Sequence, residues 1–204
     1  AMASGRPVIL YSAHFGRLIM PAMALGLKGV TTSCLTADVT NPALPSPERR
    51  YLAFKLAEMQ RLMGGEMIQR GAPLRRLYRV LHHKGVLIVM LDAPPGPDDA
   101  VARFRFLGGS ARLAVGTLRL ARRTGALLVP YFALERGRAV EGRLLPPVDI
   151  QGLDDDAALA RLFAPIEEHV RAHPEHWWLW PILPAIWRPR AAPAEAPPRA
   201  PELA

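Results

Sequence analysis

The chain of 204 residues is 50% hydrophobic and 22% charged, which gives one sizeable core and leaves little room for a second domain. Its 26 lysines and arginines against 18 acidic residues leave a formal charge of +8, which suits an anionic partner such as nucleic acid, an acidic protein or an anionic membrane surface, or else reflects a GC-rich genome that favours arginine. Cys34 is the one cysteine, excluding an intrachain disulfide framework and a thiolate metal cluster; nothing resembles a zinc-finger or aromatic-interleaved basic stretch, and no apolar run reaches the roughly 18 residues that span a bilayer.

Ala1 ahead of Met2 reads as an appended residue, with the natural start at Met2. The first element is the apolar, β-prone run Val8-Ile9-Leu10-Tyr11-Ser12-Ala13, which halts at His14 and Gly16. An open α/β sheet presents reactive side chains at the carboxyl ends of its strands, so His14 is the candidate for the chemistry. Residues 18–27 predict a short apolar helix with Pro21 in its first turn. Its methionines Met20 and Met23 either line a channel for a long apolar chain or pack in the core.

Residues 30–35 predict a second strand, in which Cys34 reads as a buried small hydrophobe rather than a nucleophile. Asp38, Asn41 and Pro42 mark a loop. A helix over 47–63 turns Leu52, Leu56, Met59 and Met63 inward and closes on Gly64-Gly65. After a brief strand at 66–70, Pro73 opens an amphipathic helix that stops at His82-His83-Lys84-Gly85. The two histidines serve that stop, and a metal site there lacks further ligands. Residues 85–92 form the clearest strand, continuously apolar as a central parallel strand is, and it ends on Asp92. Parallel strands share direction, so His14 and Asp92 stand above one crevice. Alternating strands and helices predict a single α/β domain over 1–190, with a mostly parallel central sheet flanked by helices and right-handed crossovers.

A turn-rich loop follows Asp92. Ser110 is the expected N-cap of a helix over 113–123, and Gly108-Gly109-Ser110 would then leave free amides at a positive helix end, with Arg103, Arg105 and Arg112 close by. That arrangement is read two ways, as a cradle for an anion such as a phosphate or as a surface loop and cap. A strand over 126–132 follows, and Asp154, Asp155 and Asp156 cap a last long helix over 157–172. The tryptophans between Trp177 and Trp187 either sit at a membrane interface or pack under the sheet. Residues 191–204 have a Pro/Ala-rich composition without periodicity and are expected to be disordered.

Three of these stretches resemble conserved segments of the lysophospholipid and lipid A biosynthesis acyltransferase family. Residues 8–17 are similar to its first motif, a strand leading into His-Phe-Gly with an acidic residue after a four-residue gap; here that position is Ile19. Residues 106–132 are similar to its second stretch, a Gly-containing turn and a helix, then Thr-Gly-Ala and a strand through Val-Pro, with Arg136 after the strand and a return strand running from Gly142 to Pro147. The run His173-Pro174-Glu175-His176-Trp177-Trp178-Leu179-Trp180 is similar to its closing segment. The likeness covers most of residues 7–188. The family often carries a membrane helix before the first motif, so a start this close to the motif implies a short form or a trimmed one.

The resemblance implies a bacterial enzyme of lipid biosynthesis that moves an acyl chain from an acyl carrier protein or coenzyme A thioester to a hydroxyl or amine, on a lipid or glycolipid. It implies no other cofactor and no metal, and a cytoplasmic place, peripheral to the inner membrane. His14 would be the base that takes the acceptor proton. A carboxylate normally holds the other ring nitrogen of such a histidine, and three substitutes for the missing acid present themselves: Asp92, Glu135, or backbone groups alone. Asp92 is favoured by its strand-end position. Arg17, Arg103, Arg105, Gly108, Gly109, Ser110, Glu135 and Arg136 are the expected substrate contacts. The alternative is a catalytically silent member that binds an acyl chain, a carrier or a membrane surface.

Overall fold

The computed structural model describes residues 5–37 and 45–189; the expected loop at Asp38 and the tail over 191–204 lie outside the described residues. The apolar runs become strands because each can be covered on both faces. β1 (Val8–Ser12) is buried along its whole length, and so is β4 (Val86–Met90) except at its last residue. They pair in parallel at the centre of a six-stranded sheet, with the order β3 (Gly64–Gln69), β2 (Thr32–Thr36), β4, β1, β7 (Leu127–Arg136) and β8 (Ala139–Leu144). The strand pairs are parallel except β7 with β8, which form an antiparallel hairpin at one edge.

Alternation along β1 divides the core. Val8 and Leu10 face one side, packed with Ala22 of α1 (Met20–Leu27) and with Met59 and Met63 of α2 (Ser46–Met63). Ile9 and Tyr11 face the other. There they share a core with Leu77 and Leu81 of α3 (Arg75–His82), Leu118 and Ala121 of α4 (Gly116–Thr124), and Leu162, Phe163 and Ile166 of α5 (Asp155–Ala172). The result is an α/β architecture with helices on both faces of a mostly parallel sheet, as the element pattern predicts. α5 opens as its aspartates require, with the Asp154 carboxylate accepting from the Ala157 amide at 2.7 Å. Among the described residues no helix is long and apolar enough to cross a membrane.

The second conserved stretch departs from expectation. Residues read as a loop and a helix start form β5 (Val101–Phe106) and β6 (Gly109–Ala114), an antiparallel hairpin extended by β9 (Trp187–Arg188). Helix α4 starts at Gly116, after the hairpin, so Ser110 is a strand residue and caps nothing. The turn is made by Leu107 and Gly108, both at positive φ (48° and 76°), a conformation that joins two twisted strands in two residues. The strand period explains the segment better than a cap does: Ala102, Phe104 and Phe106 are buried on one face while Arg103 and Arg105 are exposed on the other.

Candidate active site

β1 and β4 finish level with each other, Ser12 paired with Met90, so two residues further on His14 and Asp92 stand side by side at the carboxyl edge. Asp92 is buried (1% exposed). A buried carboxylate is costly unless its lone pairs are occupied. Three donors occupy these: the His14 ring Nδ1 at 2.8 Å from Oδ1, and the His14 amide at 2.8 Å and the Trp177 indole at 2.9 Å on Oδ2. An ionised carboxylate only accepts, so Nδ1 carries the proton and the lone pair stays on Nε2. The imidazole is about a third exposed (32%), leaving that nitrogen a path to a ligand.

The turn after His14 is clamped from the chain's far end. Phe15 bridges Trp177, the Gly16 amide donates to the His176 carbonyl at 2.7 Å, and the Trp178 amide donates to the His14 carbonyl at 2.9 Å. Gly16 is obligatory on two counts. Its φ is +54°, and a Cβ there would lie 2.1 Å from the Ala133 carbonyl oxygen of β7. The closing segment therefore acts on the site through its backbone and through one indole.

The remaining expected site residues disperse. Arg17 lies just past the turn and pairs with Glu135 at 3.2 Å, both exposed. Glu135 thus touches Arg17 and not the imidazole. Arg136 pairs with Glu141 at 3.3 Å across the β7–β8 hairpin, where Arg143 also sits at 2.7 Å; the bond from Arg143, ahead of that from Arg136, holds the Glu141 carboxyl below its usual range. Arg103, Arg105 and Ser110 lie on the solvent face of β5–β6, Arg103 opposite Arg112 and Arg105 opposite Ser110. The hairpin meets the site from behind, through Phe106 against the Trp177 ring with centroids 5.8 Å apart. Gly108 shapes the turn, and Gly109 leaves room for Trp187, whose ring would lie 2.3 Å from a Cβ. The helix-start anion cradle expected here gives way to an arginine-bearing strand face.

Cys34 is buried, and desolvation pushes its thiol up to about 12, so it stays protonated and packs as a small hydrophobe. In the closing turn His173, Glu175 and His176 bring possible metal-ligand atoms within 4.8 Å of one another, with Glu175 exposed.

A cavity of about 320 Å³ opens between α1 and the β7–β8 hairpin, on the sheet face that carries Val8 and Leu10. Leu10 and Ile88 line it from the sheet, Met20, Ala24 and Leu25 from α1, Tyr131 from β7, and Val140 and Leu144 from β8; the exposed Lys28 and Arg143 are its cationic lining. Neither His14 nor Asp92 lines it. Leu10 lies within β1, and His14 stands two residues past that strand's end. Of the two methionines, Met20 lines this cavity and Met23 packs in the core.

Sequence reasoning missed two features of the site. The Trp177 indole on Asp92 spans 85 residues, and nothing local to either residue signals it. The cavity lies between α1 and the β7–β8 hairpin, a matter of how these elements are placed rather than of composition.

A histidine held by a buried acid at the carboxyl edge of an α/β sheet is an arrangement suited to general-base chemistry, and an apolar cavity lies lower on the same sheet. The family model described as bacterial lipid A biosynthesis acyltransferase matches residues 1–183, and the chain belongs to that family. It is similar to the phosphatidylinositol mannoside acyltransferase of Mycobacterium tuberculosis, 25% identical over 179 residues, which are 87% of this chain and 54% of the relative. The chain thus spans about half the length of that curated relative.

Proposed function

We propose that this chain transfers an acyl group from a thioester of acyl carrier protein or coenzyme A to a hydroxyl on a lipid or glycolipid acceptor, with His14 as general base and Asp92 fixing its tautomer. One observation carries the reading: the buried Asp92 carboxylate lies 2.8 Å from His14 Nδ1, supplying from the neighbouring strand the acid that is Ile19 in the first motif.

His14 Nε2 takes the acceptor proton as its oxygen attacks the thioester carbonyl carbon. The new C–O bond forms and the carbonyl π pair moves onto oxygen. When that pair returns, the C–S bond breaks, and the thiolate leaves with the proton from the imidazolium, which Asp92 stabilises meanwhile. The acyl chain occupies the α1 cavity, where Met20 adapts to its length. Lys28 and Arg143 attract an anionic group at the same opening.

The test is consumption of a long-chain acyl thioester, on coenzyme A and on carrier protein, by wild type and His14→Ala. The substitution is expected to bring the rate to the uncatalysed background. Equal background rates in both proteins would remove the enzymatic reading and leave a binding role.

A further inference from the structure

Ser12 is a buried polar residue that the scheme above does not use. It is 1% exposed, and its Oγ has no hydrogen-bond partner among the described residues. A hydroxyl removed from water without a partner is destabilising, so a chain keeping one there needs a reason. Three other buried atoms are also unpartnered: the Tyr11 hydroxyl on the opposite face of the sheet, Thr32 Oγ1 at the start of β2, and His176 Nδ1 in the closing turn. Ser12 differs from them in its place.

Side chains two residues apart on a strand share a face, so Ser12, the last residue of β1, follows Leu10 on the same side at about 6.6 Å, and His14 stands two residues past the strand's end in the turn where the Phe15 amide donates to the Ala13 carbonyl. Leu10 lines the cavity. On one side Ser12 has its register partner Met90. On the other, one residue beyond the pairing of Tyr11 with Pro130, stands Tyr131, which also lines the cavity. The Tyr131 hydroxyl is already committed, donating to the Leu18 carbonyl at 3.0 Å. That leaves Ser12 as the uncommitted hydroxyl, two residues up the strand from the cavity-lining Leu10 and two residues before His14, with the half-buried Met90 beside it as an unbranched side chain able to yield.

We propose that the Ser12 hydroxyl is a substrate-contacting catalytic group, donating a hydrogen bond to the carbonyl oxygen of the acyl thioester; the proposal rests on the acyl-transfer reading above. The strand and the turn after it then match the parts of a bound donor: hydrocarbon against Leu10, carbonyl at Ser12, reaction centre at His14. Negative charge grows on the carbonyl oxygen as the acceptor attacks, so the contact is stronger in the tetrahedral adduct than in the bound thioester.

Ser12→Ala tests this with three readouts. Turnover of the acyl thioester is expected to fall about 10²-fold in kcat, with KM little changed, as for loss of one oxyanion donor. The unfolding midpoint is expected to stay or rise, because the hydroxyl has no partner to lose. Binding of two inert donor analogues supplies the third: wild type is expected to prefer the ketone, with CH2 in place of sulfur, over the thioether, with CH2 in place of the carbonyl, by about two- to tenfold, and Ser12→Ala to lose that preference. Turnover within twofold of wild type, or a lowered midpoint with the preference intact, overturns the assignment of Ser12 while leaving the acyltransferase reading standing. Absence of thioester turnover in wild type itself overturns that reading and the Ser12 role with it.

Discussion

Asp92 and Glu135 are both carboxylates near the carboxyl ends of the strands that flank β1, and either one looks from sequence able to replace the missing acid. The structure separates them by strand length. β4 stops level with Ser12, which sets Asp92 beside His14. β7 runs on for ten residues to Arg136. Its pairing with β1 ends at Tyr11 on Pro130, and Glu135 lies five residues further along β7, exposed to solvent. There it takes the exposed Arg17, whereas Asp92 is enclosed and takes three donors. Pairing of a cation or imidazole with a carboxylate is worth much under enclosure and about 0–1 kcal/mol at an exposed rim. Which carboxylate serves the imidazole is settled by where its strand ends.

Substitutions can break that comparison in order of size. Asp92→Asn is expected to be the most severe: its amide has one acceptor oxygen where the carboxylate takes three bonds, and His14 loses the partner that fixes its tautomer. Thioester turnover should drop by about 10³- to 10⁴-fold by analogy with the serine-protease triad, and chemical denaturation should show a loss of about 1–3 kcal/mol. Turnover within a few-fold of wild type would reverse the ranking of the two acids. Trp177→Phe keeps the aromatic packing on Phe106 and removes one donor from Oδ2; a stability loss of about 1–2 kcal/mol and a smaller fall in turnover than for Asp92→Asn are expected from the same assays. Glu135→Gln and Arg17→Gln should each shift stability by less than about 1 kcal/mol and leave kcat near wild type, since their pair is exposed.

His169 sharpens the contrast from a second direction, because it is a half-buried imidazole without an acid partner in contact. Its ring stacks on Phe132 with centroids 3.6 Å apart, and Nδ1 donates to the Pro165 carbonyl at 2.8 Å. Desolvation lowers its pKa below 6.5, against a smaller opposing effect of that hydrogen bond. The unfolded chain therefore binds the proton more readily, and stability falls as pH drops from about 6.5 toward the depressed folded value. Denaturation midpoints of wild type and His169→Gln across that range are expected to diverge at neutral pH and converge in acid; parallel curves would contradict it.

The parallel core was legible because continuous apolar runs such as Val86–Met90 have few other uses, and a polar residue at the end of each run marks the sheet edge. The β5–β6 hairpin was not. Its alternation of arginine with phenylalanine carries the two-residue period, but the turn places Leu107 at φ 48°, where leucine is no turn signal, and Gly-Gly-Ser imitates a helix start. Of the site, the two strand-end residues were readable one by one. The indole on Asp92 and the solitary hydroxyl of Ser12 were not, since a missing or distant hydrogen bond leaves no mark on neighbouring residues.

The site is assembled from pieces 78 and 85 residues apart. On a growing chain His14 emerges first and Asp92 much later, and the carboxylate lacks its last donor until Trp177 has been synthesised. Closing such long loops is slow, and their contacts reward the chain late. The His14–Asp92 corner is thus a product of final consolidation: a nascent chain that has laid down its central strands still holds a carboxylate one donor short, and the full set of bonds arrives only as the C-terminal turn docks.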